Sequence, residues 1–400
     1  MSTQPLPADP ALPPHAPGAI LAVVGARPNY MKMAPLLRAL DRRPNLPPTV
    51  LVHTGQHYDF ALNDRLFSDL QLRAPDVNLE VGSGSHAVQT AEVMKRFEPL
   101  IETYRPACVI VVGDVNSTMA CTLVAAKLHV PVVHVEAGLR SYDRGMPEEI
   151  NRVVTDQIAE RLYTTERSAH ANLAREGIDE KRVRFVGNLM IDSLLAAKAK
   201  AVPLATTLAR EGVELPADRL AGGYGVVTLH RPANVDEPDA LAECLQILGR
   251  VGERLPLIWP VHPRTRARIE RLGSKAAVDP ARVVCLPPQG YLEMVGMMAS
   301  ARLVITDSGG VQEETTSLGV PCLTLRPNTE RPITVEQGTN TLVPRDAGVV
   351  LALVDEILAN GGKRGRTPEA WDGHAAERIA ADLEAWLIRR SEQRAGEATT

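Results

Sequence analysis

No apolar run in the 400 residues reaches the roughly 20 needed for a helix to cross a bilayer, so no membrane-spanning helix and no membrane partner are expected. There is no basic excess either. Lysine and arginine total 44 against 48 acidic residues, a net charge of −4, so the positive footprint of a nucleic-acid binder is missing. The five cysteines (Cys108, Cys121, Cys244, Cys285 and Cys322) include no C-x-x-C pair. They read as small buried hydrophobes of a reducing, cytoplasmic chain rather than as metal ligands or disulfide partners. The first 18 residues are rich in Pro and Ala but lack a basic start followed by an apolar block, so they do not read as a secretory signal. They and the residues from Arg389 onward read as disordered extensions. No repeat of solenoid period is visible.

What is present is an ordinary globular composition, 44% hydrophobic and 23% charged, in a chain long enough for two cores. Short runs of Val, Ile and Leu recur at Ala19–Gly25, Thr49–Thr54, Cys108–Gly113, Val130–Val135, Val183–Gly187, Tyr224–Leu229, Pro256–Val261, Val283–Leu286, Arg302–Thr306 and Pro321–Leu325. They are continuous rather than alternating, the pattern of strands covered on both faces in a parallel sheet. Helical patterns lie between them, among them Met31–Arg42, Glu92–Thr103, Pro147–Glu160 and Asp236–Glu253. Repeated strand–helix units predict an α/β fold of two Rossmann-like, doubly wound domains with a ligand cleft between them. The expected layout is 1–18 as an extension, 19–190 as the first domain, 200–373 as the second, 374–390 as a closing helix and 391–400 as a tail. The boundary falls near 190–222, where a helical piece is followed by Pro203, Pro216 and Gly222–Gly223 without a strand. Pattern alone does not decide which domain the helix around Ala375–Ile388 joins.

Four groups of residues carry chemistry. Gly25 to Lys32 (G-A-R-P-N-Y-M-K) follows the first strand and enters a helix, offering free backbone N–H groups, with Arg27 and Lys32, to an anion. It is neither a Walker loop nor G-x-G-x-x-G, and a tight turn with two surface cations is the competing account. Asp307 to Glu314 (D-S-G-G-V-Q-E-E) also opens a helix after a strand. Gly309 and Gly310 would let a phosphate approach the backbone, Ser308 can donate to it, and Glu314, one turn in, could accept from ribose hydroxyls. A simple capped helix start competes, but paired glycines there weaken a helix. Arg331, in T-E-R-P, lies in the loop after the next strand.

The third group is acidic. Asp114 and Glu136 each end an apolar strand, and Glu148 opens a helix at Pro147 with Arg152 four residues on, spaced to pair with it. The fourth is a set of histidines beside strand ends: His230, His262 and His134, with His57 in T-G-Q-H. They share no metal-ligand spacing, so no metal is expected, and contact with phosphate or sugar competes with structural hydrogen bonding.

Taken together, G-A-R-P…K-M-A-P, T-G-Q-H, G-D-x-x-S-T, H-V-E-A-G-L-R, P-E-E-I-N-R, H-R, P-V-H-P, D-S-G-G-V-Q-E-E and T-E-R-P occur in this order over residues 20–345. The ordered series closely resembles the non-hydrolysing UDP-N-acetylglucosamine 2-epimerases. The resemblance implies a GT-B-like pair of Rossmann domains, a homodimer, and conversion of UDP-N-acetylglucosamine to UDP-N-acetylmannosamine with no cofactor. It implies Asp114, Glu136 and Glu148 as catalytic carboxylates with Arg152, Lys32 and His230 beside the reacting groups. It further implies substrate binding by Arg27, His262, Ser308, Gly309, Gly310, Glu314 and Arg331. Two departures from the regulated bacterial members are the short Ser141–Met146 stretch and Tyr58-Asp59 after Gln56-His57, and a hyperbolic rate curve is therefore expected. The competing functions are a hydrolysing epimerase, an epimerase of a modified UDP-sugar, a GT-B glycosyltransferase and a non-catalytic sugar-nucleotide sensor.

Overall fold

The computed structural model describes residues 17–55, 66–273 and 278–397. They form two compact units. One takes the chain up to Leu189 and again from His374 onward, and the other runs Met190–Gly373.

The first unit is built on seven parallel strands: β1 (Ile20–Val24), β2 (Thr49–His53), β3 (Val77–Asn78), β4 (Cys108–Val112), β5 (Val132–Val135), β6 (Arg161–Thr164) and β7 (Val183–Phe185). Their order is β3-β2-β1-β4-β5-β6-β7. β1 and β4 read ILAVV and CVIVV and are buried throughout, as strands roofed by helices on both faces must be. The chain winds outward from β1 in one direction, returns, and winds outward from β4 in the other. The sheet therefore has a topological switch between β1 and β4, where a crevice opens beyond the carboxyl ends of the strands.

The second unit repeats the plan with β8 (Gly225–Thr228), β9 (Leu257–Pro260), β10 (Val283–Leu286), β11 (Leu303–Thr306), β12 (Cys322–Leu325) and β13 (Asn340–Val343), ordered β10-β9-β8-β11-β12-β13. Successive side chains point to opposite faces. Val227, Leu257, Trp259 and Ile305 pack against helices Pro238–Val251 and Ala347–Asn360, while Val226, Ile258 and Val304 pack against Leu204–Arg210 and Tyr291–Ala299. Its switch point lies between β8 and β11. The two Rossmann-like sheets are the fold class expected from the strand pattern.

Two expectations need correction. Cys285 is exposed, not buried, because β10 is the edge strand of its sheet. The end of the chain is not a disordered extension from Arg389: the helix Ala375–Glu397 continues through it. Tertiary contacts extend this helix. Arg390 pairs with Glu160 outside the helix, while its guanidinium lies 5.3 Å from the ring of Trp386 one turn earlier in the same helix, and tertiary packing carries most helical stability in proteins. Further back, Asp382 accepts from Arg161 Nε at 2.7 Å and Tyr163 Oη at 2.9 Å, tying the helix to β6.

Candidate active site

In the first unit the candidate residues gather at the switch point. β1 ends at Val24 and the helix Arg27–Asp41 begins at once. Asn29 makes the turn rigid: its Oδ1 accepts from Gly25 N at 3.1 Å and Ala26 N at 2.9 Å, while its Nδ2 donates to the Val112 carbonyl of β4 at 2.9 Å. One turn on, Lys32 reaches across to Glu136 after β5, an ion pair of 2.5 Å with side chains only 6% and 4% exposed. Gly113 sits beneath them at φ +70°, and a methyl there would lie 3.6 Å from Lys32 Nζ. Glu136 itself has φ +72°. That left-handed conformation costs a non-glycine residue about 1 kcal/mol or more and is retained mostly at functional sites.

The Asp114 cluster stands beside this pair. Arg152, on the helix Pro147–Ile158, donates through Nη1 to Asp114 and through Nε and Nη2 to Glu149, at 3.1 and 2.8 Å for the latter two. The expected pairing of Arg152 with Glu148 is thus replaced. Glu149, three residues away and also on a neighbouring face position, is the buried one of the two glutamates, and Glu148 is half-buried. Glu149 also accepts from Ser141 N and Tyr142 N, both at 2.9 Å, which holds the Ser141–Met146 loop. Burial opposes its charge, but these N–H groups and Arg152 keep its carboxyl below the usual range. Asn151 Nδ2 donates to the Asp114 carbonyl at 2.9 Å, fixing the backbone of that residue as well. His134 is buried and structural. Its Nε2 faces the Gly113 carbonyl at 2.9 Å and its Nδ1 the Asp156 carboxylate at 2.6 Å, which pins the end of β4 to β5.

In the second unit three strand-end loops meet. Asp307, fully buried after β11, accepts from the backbone N–H of His230 and Arg231 and from Asn234 Nδ2. Ser308 precedes the helix Gly309–Leu318, and its N–H donates to Thr306 Oγ1 at 3.0 Å. The third loop brings Glu330 so close that a methyl on Gly309 would lie 2.6 Å from Glu330 Oε1. Only glycine allows that approach. Burial works against ionisation of Glu330, but the charges of Arg331, Arg326 and Arg231 hold it far below the carboxylate range. Arg331 is itself paired with Glu313 at 3.0 Å. Glu314 is buried and accepts from Tyr291 Oη at 2.9 Å; burial, with the charge of Glu313, pushes its carboxyl up to about 7. His262 stands apart in role: it caps the helix Pro263–Leu272, its Nδ1 accepting from Arg264 N at 3.3 Å.

Asp114, Glu136, Glu148, Lys32, Arg152 and Arg27 therefore all belong to the first unit, and His230, His262, Ser308, Gly309, Gly310, Glu314 and Arg331 to the second. His57 and the Tyr58-Asp59 pair lie outside the described residues. Four supporting residues escaped the sequence: Asn29, Glu149, Asp307 and Glu330. Each lies inside one of the motifs; Asn29 and Asp307 meet partners remote in the chain, Val112 and His230, whereas Glu149 and Glu330 are held largely by near neighbours, Arg152 and Arg326.

A family model described as UDP-N-acetylglucosamine 2-epimerase matches residues 38–384. The chain belongs to the UDP-N-acetylglucosamine 2-epimerase family. It is accordingly an epimerase, an isomerase acting on nucleotide sugars. The UDP-N-acetylglucosamine 2-epimerase of Methanocaldococcus jannaschii is 38% identical over 365 residues, 90% of this chain and 97% of its own. A UDP-2,3-diacetamido-2,3-dideoxy-D-glucuronate 2-epimerase of Pseudomonas aeruginosa is 39% identical over 327 residues, 81% of this chain and 88% of its own. The M. jannaschii UDP-N-acetylglucosamine 2-epimerase, solved with UDP-N-acetylglucosamine and UDP, matches with a TM-score of 0.82 at 37% identity, covering 91% of this chain and 99% of that one. The family assignment bears out the resemblance drawn from the ordered motifs.

Proposed function

We propose that the chain interconverts UDP-N-acetylglucosamine and UDP-N-acetylmannosamine without net hydrolysis. The observation that carries this is the pair of strand-end carboxylates, Asp114 and Glu136, each held by a buried cation at the switch point of the first sheet. Such groups suit proton transfer at carbon on a bound sugar.

The C2 proton of the sugar is not acidic, because no carbonyl is attached to C2. Its removal becomes feasible when the C1–O bond to UDP breaks at the same time. A carboxylate takes the C2 proton, the C–H electron pair forms the C1=C2 bond, and the C1–O pair leaves with UDP, giving 2-acetamidoglucal. Delivery of a proton to the opposite face of C2 and return of a UDP oxygen to C1 complete the epimerisation. Asp114, Glu136 and Glu148 supply the acid and base groups on the two faces, and a nearby carboxylate eases positive charge at C1. Lys32 and Arg152 hold two of these carboxylates in place, and Arg27 meets the phosphate side. In the second unit the Ser308 hydroxyl and the N–H groups at Gly309 and Gly310 receive the diphosphate, helped by the helix dipole, with His230 and Arg331 adding charge and Glu314 taking the ribose. His262 would contact the substrate from the end of β9 while capping its helix. We take the active form as a homodimer, which sedimentation would check.

Mixing the full-length protein with UDP-N-acetylglucosamine in deuterated water and following the products by proton NMR tests the assignment. The expected result is deuterium at C2 of both UDP-sugars. Accumulation of free N-acetylmannosamine and UDP would show a hydrolysing enzyme instead. A second substrate has a specific reason behind it, the similarity to the P. aeruginosa diacetamido-glucuronate epimerase. Turnover of that UDP-sugar, with none of UDP-N-acetylglucosamine, would replace the first assignment.

A further inference from the structure

Asp307 places a buried negative charge one residue ahead of Ser308 and two ahead of the glycine-opened helix. That is the wrong sign beside a diphosphate, and a carboxylate stays charged in the interior only when donors surround it. Each of its partners is a donor. The His230 N–H lies 3.1 Å from both carboxylate oxygens, the Arg231 N–H 2.9 Å from Oδ2 and Asn234 Nδ2 3.0 Å from Oδ2. The remaining contact is with the imidazole of His230, whose Nδ1 lies 3.1 Å from Oδ1. Burial opposes ionisation of Asp307, yet the bond from His230 and its charge, then Asn234 and the Arg231 N–H, keep the carboxyl below its ordinary range.

An ionised carboxylate only accepts, so the nitrogen facing it must carry a hydrogen. The bond made by one ring nitrogen of a histidine settles what the other can do. Here the other is Nε2, on a side chain that is 52% exposed. With Nδ1–H committed to Asp307, a neutral ring would present the Nε2 lone pair to an anionic ligand. Only the doubly protonated ring can donate to a phosphate oxygen without giving up Asp307.

We propose that Asp307 is a positioning residue that locks His230 with Nδ1–H turned inward and so makes the ring a cationic Nε2–H donor to the diphosphate. This rests on the nucleotide-binding assignment of the second unit. It gives the misplaced negative charge a purpose: the carboxylate–imidazolium pair is neutral as a whole, while its outer edge presents a hydrogen where charge grows on the departing phosphate.

The test begins with unaltered full-length protein carrying isotope-labelled histidine, read by long-range proton–nitrogen NMR with and without UDP. His230 Nδ1 is expected to be protonated in the free protein, and both nitrogens in the UDP complex. A bare Nδ1, or a bare Nε2 with UDP bound, overturns the proposal alone. Failure of UDP to bind in calorimetry overturns the nucleotide assignment, and this proposal with it. A double-mutant cycle adds a kinetic arm. Asp307→Asn should lower kcat about 10²-fold while raising KM less than about threefold. The Asp307→Asn, His230→Gln double variant should be no slower than His230→Gln. Losses that multiply in the double variant, or an Asp307→Asn effect confined to KM, would mean that Asp307 does not act through His230.

Discussion

Glu136 combines a strained backbone with a buried ion pair, and the two features have one cause. The left-handed φ of +72° turns the chain immediately after β5, and the side chain then meets Lys32. Asp114 is held differently, by an arginine that keeps a second carboxylate, Glu149, when Asp114 is altered. Asp114→Asn should therefore fold normally and lower turnover at least ~10²-fold with UDP binding retained. Glu136→Gln should lose a similar factor. It should also lose about 3 kcal/mol of stability, because Lys32 is left buried without its counter-charge. Steady-state rates, UDP calorimetry and urea unfolding measure the three quantities, and near-normal turnover in both variants would count against the proposed chemistry. Glu314 makes a pH prediction. Its carboxyl rises from an ordinary 4.5 to about 7 in the folded protein. Its contribution to stability is therefore complete below pH 4.5 and lost as the pH climbs through about 7. Asp307 and Glu330, which are shifted the opposite way, lose theirs only on the acid side of their unfolded values. Glu314→Gln should flatten the fall in unfolding free energy between pH 4.5 and about 7, by up to about 3 kcal/mol, in a pH series of urea melts.

Two helices show how an element gains a role through what it touches. The helix Gly309–Leu318 starts with two glycines, a weak opening by propensity alone. Its first residue is held to glycine by the Glu330 carboxylate, so Gly309→Ala must push that carboxylate away and disturb its pairing with Arg326. UDP affinity should fall about tenfold or more, as a helix start that receives phosphate on its N–H groups loses the geometry; unchanged calorimetric affinity would argue that the diphosphate binds elsewhere. The helix Ala375–Glu397 has only a modest sequence signal near its end, and its anchor is Asp382 against Arg161, whose side chain is 4% exposed. Asp382→Ala leaves that arginine uncompensated, and a loss of about 2–4 kcal/mol in urea unfolding is expected. A loss no larger than that of a surface substitution would show that the helix is held by its apolar face alone.

At the scale of the molecule, both sheets are parallel and doubly wound, and in each unit candidate residues follow the strands that flank the switch point, Arg27 and Asp114 in one and His230 and Ser308 in the other, with the rest contributed by neighbouring strand ends and helices. The short Ser141–Met146 stretch is bound to Glu149, and an initial-rate curve that is hyperbolic in substrate, with a Hill coefficient of about 1, is expected. Marked sigmoidicity would show that substrate regulates the enzyme after all. Much of this was legible in advance. Runs such as CVIVV, bounded by turn residues and alternating with helical patterns, read as buried strands of a parallel sheet, and a glycine, acid or histidine that ends such a run is expected at the sheet's carboxyl edge, so the sheet class follows from order and composition. Pairing did not follow. Asp307 meets His230 across 77 residues, Arg152 chooses Glu149 and Asp114 over Glu148, and the final helix docks on the helix Arg27–Asp41 with Asp382 reaching Arg161 of β6. A linear pattern states which side chains leave the core and in what order along the chain. Which of them become neighbours depends on strand order and on how far each helix is rotated, and those are settled only when the sheet closes its hydrogen bonds and the helices bury their apolar faces.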